Sequence, residues 1–324
     1  MPTSGRKDSD CLCLVGPTGT AKSRVAVKLA ERLRGEIINC DSRQVYRDFP
    51  VITAQPDQEL TRRCPHWLYG FLETHEPCNA GFFAEQALAA IQEVRSRGRW
   101  PILVGGTGLY LRSVLQGLAP IPEVSEDVRA EVLRQCREQG PEALHRELSE
   151  VDPESAAAIQ PRDAQRLTRA LEVLRETGQP LSWWQKQERT DRPRLRALKL
   201  GFWIELEALI PRLSDRIERM LTRGALEEVR EAWRRCPDES APGWSGIGCL
   251  ELLSFLRGRT TLEQAKEQWL RKTRAYAKRQ MTWFRKEEGL LWLQPGEADR
   301  AVEYAARRVL ETGRPQTKQG DAWS

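Results

Sequence analysis

One stretch constrains this 324-residue chain more than any other: Gly16, Pro17, Thr18, Gly19, Thr20, Ala21, Lys22 and Ser23. It matches the pattern GxxxxGK[ST] except that Ala21 stands where the last glycine is usual. In such a loop backbone N–H groups cradle phosphates, the lysine adds positive charge and the Ser23 hydroxyl helps to bind magnesium. The context is the required one. An apolar run, residues 11–15, precedes the loop, and residues 24–33 follow with helical periodicity, giving strand, loop, helix. The motif alone indicates a nucleotide such as ATP as ligand.

Residues 36–40 and 100–104 are two further short apolar strand candidates, separated by a helical pattern over 84–97. Alternation of this kind predicts an α/β fold, a P-loop NTPase-like parallel sheet flanked by helices. After Gly117 the texture changes to short charged helices at 126–139, 141–149, 154–159 and 163–177, broken at Gly140, Pro153, Pro161 and Gly178. Residues 195–204 return to strand composition, and 290–293 offer a last strand. The expected organisation is a disordered start (1–10), a core domain from 11–118 and 195–312, a helical insertion domain (119–194) and a flexible tail (313–324).

With 40% hydrophobic residues the chain can bury a real core, yet no apolar run approaches the roughly 18 residues of a membrane helix. The polar N-terminus lacks a signal-peptide core, so a cytoplasmic, monomeric protein without membrane contact is expected. The eight cysteines form no CxxC pair and the three histidines lack ligand spacing, which argues against a zinc site. Cys11 and Cys13 alternate within the first apolar run and read as buried strand residues. The net charge of +5 says little, but its distribution does: residues 269–286 carry seven Lys or Arg and no acid.

Most P-loop hydrolases hold magnesium through an acid at the end of a second strand. Here residues 101–104 end in Gly105-Gly106-Thr107 instead, which counts against an NTP hydrolase. The available acid is Asp41, at the end of the 36–40 strand, where open α/β sheets bind ligands; it reads as a general base or as an Asx turn. Residues 105–110 form a second glycine-rich turn, for packing or for ligand contact. The basic strip 271–286 presents Arg271, Arg274 and Lys278 on one helix, with Tyr276, Trp283 and Phe284 available to pack or stack, and points to RNA. The neighbouring Trp183 and Trp184 read as packing.

Together these pieces resemble the tRNA dimethylallyltransferases (tRNA isopentenyltransferases). The ordered matches are GPTGTAKS, EIINCDSRQVY, TAQP at 53–56, PHWL at 65–68, GGTGLYL at 105–111, RDAQRLTRALEV at 162–173 and RAYAKRQMTWFRK at 274–286. The series is specific as an ordered set and runs from about residue 11 to 294. Two departures stand out, Ala21 for glycine and Cys249 where an aromatic is common, and a bacterial type without a C-terminal zinc finger is implied.

The resemblance implies transfer of a dimethylallyl group from dimethylallyl diphosphate to the exocyclic N6 amine of adenosine 37, beside the tRNA anticodon. Asp41, Arg216 and Thr107 would be the catalytic residues, Gly16 to Ser23 the diphosphate site, and Ser23 the residue assisting Mg2+. The tRNA anticodon stem-loop would meet Asp41, Ser42, Arg43, Gln44, Thr107, Arg129, Gln165, Arg166, Leu167, Thr168, Arg169, Gly246, Ile247, Gly248, Cys249, Arg274, Lys278 and Arg279. Two alternatives compete from the residues alone. An ATP-dependent small-molecule kinase explains the loop and Asp41 but leaves the basic strip unexplained, and a non-catalytic RNA binder would carry a vestigial loop.

Overall fold

The first apolar run becomes a central strand because both of its faces find a core. The computed structural model describes residues 9–187 and 194–312. In β1 (Cys11–Val15) the thiols of Cys11 and Cys13 enter one apolar cluster, while Leu12 and Leu14 enter a second on the opposite face. This period-2 division, with both faces covered, is the signature of a parallel sheet. The elements that follow are α1 (Lys22–Leu33), β2 (Gly35–Asn39), α2 (Gln58–Arg63), β3 (His66–Trp67), α3 (Ala80–Ser96), β4 (Trp100–Gly105) and α4 (Gly108–Gln116). After them come α5 (Glu126–Gln139), α6 (Pro141–Val151), α7 (Pro153–Ala158), α8 (Ala164–Thr177) and α9 (Leu181–Lys186). The chain then continues through β5 (Ala197–Phe202), α10 (Leu206–Thr222), α11 (Ala225–Arg235), a 3-10 turn (Pro242–Ser245), α12 (Cys249–Leu256), α13 (Leu262–Phe284), β6 (Leu290–Leu293) and α14 (Ala298–Thr312).

The six strands form one sheet in the order β3-β2-β4-β1-β5-β6, every pairing parallel. Register is what positions the site. Val15 lies opposite Gly105 and Asn39 opposite Val104, so β1, β4 and β2 end together and release their following loops at one edge. The glycine that ends β4 is dictated by this convergence: a Cβ on Gly105 would sit 1.9 Å from the Cys40 carbonyl oxygen.

The chain divides into two compact units, one comprising residues to Gln116 and from Arg194 onward, the other Gly117–Pro193. The second unit, α5 to α9, has its own core of Val132, Leu144, Leu148, Leu167, Ala170 and Leu171. Its breaks follow local chemistry. Gly140 ends α5 with φ 79°, Pro141 and Pro153 open α6 and α7, and the carboxylates of Asp152 and Asp163 cap α7 and α8. Trp184 is tethered by its Nε1, which donates to Thr177 Oγ1 at 3.0 Å, and the ring of Trp183 packs edge-on against it.

Several boundaries differ from expectation. The second strand ends at Asn39, leaving Cys40 and Asp41 in the loop, and α1 begins at Lys22, which puts Lys22 and Ser23 on its first turn. The short α2 and β3 carry too few residues for a period to show. The segments 1–8 and 313–324, expected to be disordered, lie outside the described residues.

Candidate active site

The loop over residues 16–23 is built from both ends. Ala21 takes the left-handed conformation (φ 61°, ψ 27°) that glycine favours, so the loop keeps the turn of the full motif at a conformational cost of about 1 kcal/mol. Thr20 Oγ1 donates to the Pro17 carbonyl at 2.8 Å, and Lys22 Nζ donates to the same oxygen at 2.7 Å. From α10, Arg216 Nη1 donates to Thr18 Oγ1 at 2.6 Å, bringing a guanidinium onto the loop from 198 residues away in sequence.

Asp41 is held by its backbone. Asn39, fully buried at the end of β2, accepts from Asp41 N at 2.8 Å and donates to the carbonyls of Asp41 and Leu68. Asp41 Oδ1 in turn accepts from Arg43 N at 3.0 Å, an Asx turn that orients the carboxylate. The two roles weighed for this residue are therefore compatible. Thr107 closes the acid's loop: Ser42 N donates to Thr107 Oγ1 at 3.0 Å, and Thr107 Oγ1 lies 3.2 Å from Ser42 Oγ.

The electrostatics tie the parts together. Burial pushes the Lys22 ammonium down to about 8, opposed by the Asp41 charge and reinforced by Arg216. Burial likewise lowers Arg216 to about 10, again opposed by Asp41. Both cations thus sense the one carboxylate, and they are placed to exchange desolvation for an anionic ligand. Tyr276 on α13 is pushed upward by burial and then by the Asp41 charge, with a contact to Thr107 pulling the other way. Among the described residues no group of three or more His, Cys, Asp or Glu could cage a metal.

A sequence model of the family described as IPP transferase, that is, isopentenyl pyrophosphate transferase, matches residues 44–287. The chain belongs to the IPP transferase family. Membership makes it a prenyl-transferring enzyme. It is 51% identical over 288 residues to the tRNA dimethylallyltransferase of Nitratidesulfovibrio vulgaris (strain DP4), covering 89% of this chain and 93% of that one. The Geobacter metallireducens tRNA dimethylallyltransferase is 43% identical over 285 residues, with 88% and 92% covered. Among solved structures, the full-length tRNA isopentenylpyrophosphate transferase from Bacillus halodurans matches with a TM-score of 0.67 at 33% identity, covering 93% of this chain and 97% of that one. A eukaryotic dimethylallyltransferase acting on tRNA matches with a TM-score of 0.78 at 27% identity, covering 95% and 81%.

The remaining candidate residues of this IPP transferase fall into separate groups. Arg43 extends from the Asp41 turn to donate to the Ser245 hydroxyl, and Gln44 Nε2 is engaged by the Thr53 and Ala54 carbonyls at 3.0 and 2.7 Å. Gly246, Ile247 and Gly248 lead into α12, where Gly248 N donates to the buried Glu251 carboxylate at 2.7 Å. Arg274, Lys278 and Arg279 are exposed on α13. Arg129 is paired with Glu126 on α5, and Gln165, Arg166 and Arg169 lie on α8 of the helical unit.

Two expectations are corrected by burial. Leu167 and Cys249 are both fully buried, so neither side chain can meet RNA. Of the two roles open to Phe284, packing and stacking, it takes packing, being fully buried, and Trp283 packs beneath Arg112, whose guanidinium carbon lies 4.9 Å from the ring centroid. Sequence reasoning missed Asn39, Tyr276 as a neighbour of Asp41, and Gln280. The last was detectable, because Thr273, Ala277, Gln280 and Phe284 form one helical stripe and a polar residue on a buried stripe needs partners.

Proposed function

We propose that the enzyme transfers a dimethylallyl group from dimethylallyl diphosphate to the exocyclic N6 amine of adenosine 37 in tRNA, giving N6-isopentenyladenosine and diphosphate. The observation that carries this reading is the shared field of Asp41, Lys22 and Arg216: a carboxylate and two desolvated cations at the strand ends beside a phosphate loop. The amine is a weak nucleophile because its lone pair is delocalised into the ring. Asp41 takes its proton as nitrogen attacks the allylic carbon, and the carbon–oxygen bond to diphosphate breaks. The charge gathering on the leaving group is met by loop amides, Lys22 and Arg216. The Ser23 hydroxyl would help to hold magnesium, which would supply charge neutralisation to the leaving diphosphate. The stacked base must leave the anticodon loop to react. Exposed Arg274, Lys278 and Arg279, together with Arg129 and with Gln165, Arg166 and Arg169 of the helical unit, grip the tRNA, and the enzyme acts as a monomer in the cytoplasm.

Incubation with tRNA, magnesium and dimethylallyl diphosphate, followed by nucleoside mass spectrometry, tests this directly. The expected product is an adenosine heavier by one C5H8 unit. Asp41→Ala should bind tRNA normally while losing modification by about a hundredfold or more. No adduct from the unaltered enzyme, with ATP consumed on a small hydroxyl acceptor instead, would favour a kinase.

A further inference from the structure

The two glycine-rich turns do not touch the chemistry independently: one side chain bridges them. Gln280, 4% exposed on the inward stripe of α13, accepts from Thr18 N through Oε1 at 3.0 Å and donates from Nε2 to the Gly106 carbonyl at 3.0 Å. A Cβ on Gly106 would stand 1.9 Å from that Nε2, so the second glycine of the turn is the space the carboxamide occupies. One helical turn earlier on the same stripe, Tyr276 lies against Thr107 and in the field of Asp41. Thr18 is itself the residue whose hydroxyl receives Arg216.

We infer that Gln280 is a positioning residue that fixes the donor loop against the acceptor turn, setting the distance between the diphosphate-bearing carbon and the amine held near Asp41. Three features support a role beyond filling space. The carboxamide uses its acceptor on one loop and its donor on the other, which an apolar side chain of equal volume cannot do. Its bond withdraws Thr18 N–H from the phosphate cradle, so the amides that face the donor are those from Gly19 onward. It also fixes Thr18 while Arg216 grips the same residue, which makes the guanidinium's placement depend on the clamp. Ligands on the two loops are therefore coupled through one buried side chain, whose loss shifts the loops relative to each other while leaving each locally intact.

This rests on the transfer reading above, so the test includes an arm independent of it. Gln280→Met keeps the buried volume and removes both hydrogen bonds, whereas Gln280→Glu keeps an acceptor for Thr18 N and loses the donor to Gly106. Three quantities are measured for each: melting temperature, affinity for inorganic diphosphate by calorimetry, and single-turnover rate at saturating tRNA and dimethylallyl diphosphate. Gln280→Met should lower the saturated rate about tenfold to a hundredfold, the penalty of a misplacement near 1 Å, with a much smaller loss of diphosphate affinity. Gln280→Glu, which adds an acid beside the anion site and turns an oxygen onto the Gly106 carbonyl, should restore neither the rate nor diphosphate affinity. A Met variant that melts lower yet turns over at the unaltered rate assigns Gln280 a packing role only and overturns the inference, as does one unchanged in all three measurements. If the unaltered enzyme modifies no tRNA, the transfer reading fails; the clamp then stands or falls on whether Gln280→Met weakens diphosphate binding beyond what its change in melting temperature accounts for.

Discussion

At Lys22 burial and charge pull in opposite directions, and burial wins: the ammonium titrates near 8 although Asp41 favours its charged form. In the unfolded chain the same lysine titrates near its ordinary value of 10.5. Between pH 8 and 10.5 the folded protein therefore holds fewer protons than the unfolded one, and this group makes the ligand-free enzyme more stable as pH rises through that window. A bound diphosphate reverses the balance, because an anion against the ammonium restores its charge. Diphosphate binding at pH 8 should thus take up a fraction of a proton, seen by calorimetry as a binding enthalpy that varies with the ionisation enthalpy of the buffer. Lys22→Met should abolish that dependence. A buffer-independent enthalpy in the unaltered enzyme would mean that Lys22 does not face the ligand.

Elements carry the next level of control, and α11 shows how. Its Glu228 accepts from Val51 N at 2.6 Å and Ile52 N at 2.8 Å, anchoring the turn that follows the Asp41 loop. Burial raises this carboxyl to about 7, the two backbone donors oppose the rise, and nearby Asp48 adds to it. A folded pKa above the unfolded 4.5 means that the native state binds the extra proton, so the contribution is present below pH 4.5 and lost as pH climbs to 7. Melting curves of Glu228→Gln and the unaltered enzyme should diverge over that interval, the unaltered protein losing stability with pH relative to the variant. Parallel curves would refute the assignment. Such contacts also mark the limit of what sequence discloses. The glycine-rich loop, β1, β4 and helices α5 to α8 were legible because their signals are local: an apolar run, a 3.6-residue period, a glycine or proline at a break. Asn39, Glu228 and Gln280 were not, because what makes them important is a partner up to 262 residues away, and neither composition nor period records it.

At the scale of the whole molecule, the helical unit is added to a sheet domain that is already complete. Among the described residues each unit has its own apolar core: Val132, Leu144 and Leu167 belong to that of the second, and the sheet domain packs on both faces of β1. The insertion also leaves and re-enters the sheet domain at one point, since Leu195 N donates to the Leu115 carbonyl at 3.0 Å. Ends this close can be joined by a few residues at little entropic cost, because loop closure depends only weakly on length. Replacing 117–193 by a short Gly/Ser linker should therefore give a folded protein that binds inorganic diphosphate as the full enzyme does. The phosphate loop, Asp41, Arg216 and Gln280 all belong to the retained unit. If the helical unit grips tRNA through Arg129 and the α8 cations, the shortened protein should bind tRNA more weakly, and the dependence of its affinity on salt should become shallower as phosphate contacts disappear. Filter binding across a salt series reads both quantities. An unchanged affinity and slope would move tRNA recognition onto α13 and the sheet domain alone, whereas a folded protein that no longer binds diphosphate would show that the donor site needs the helical unit to be complete.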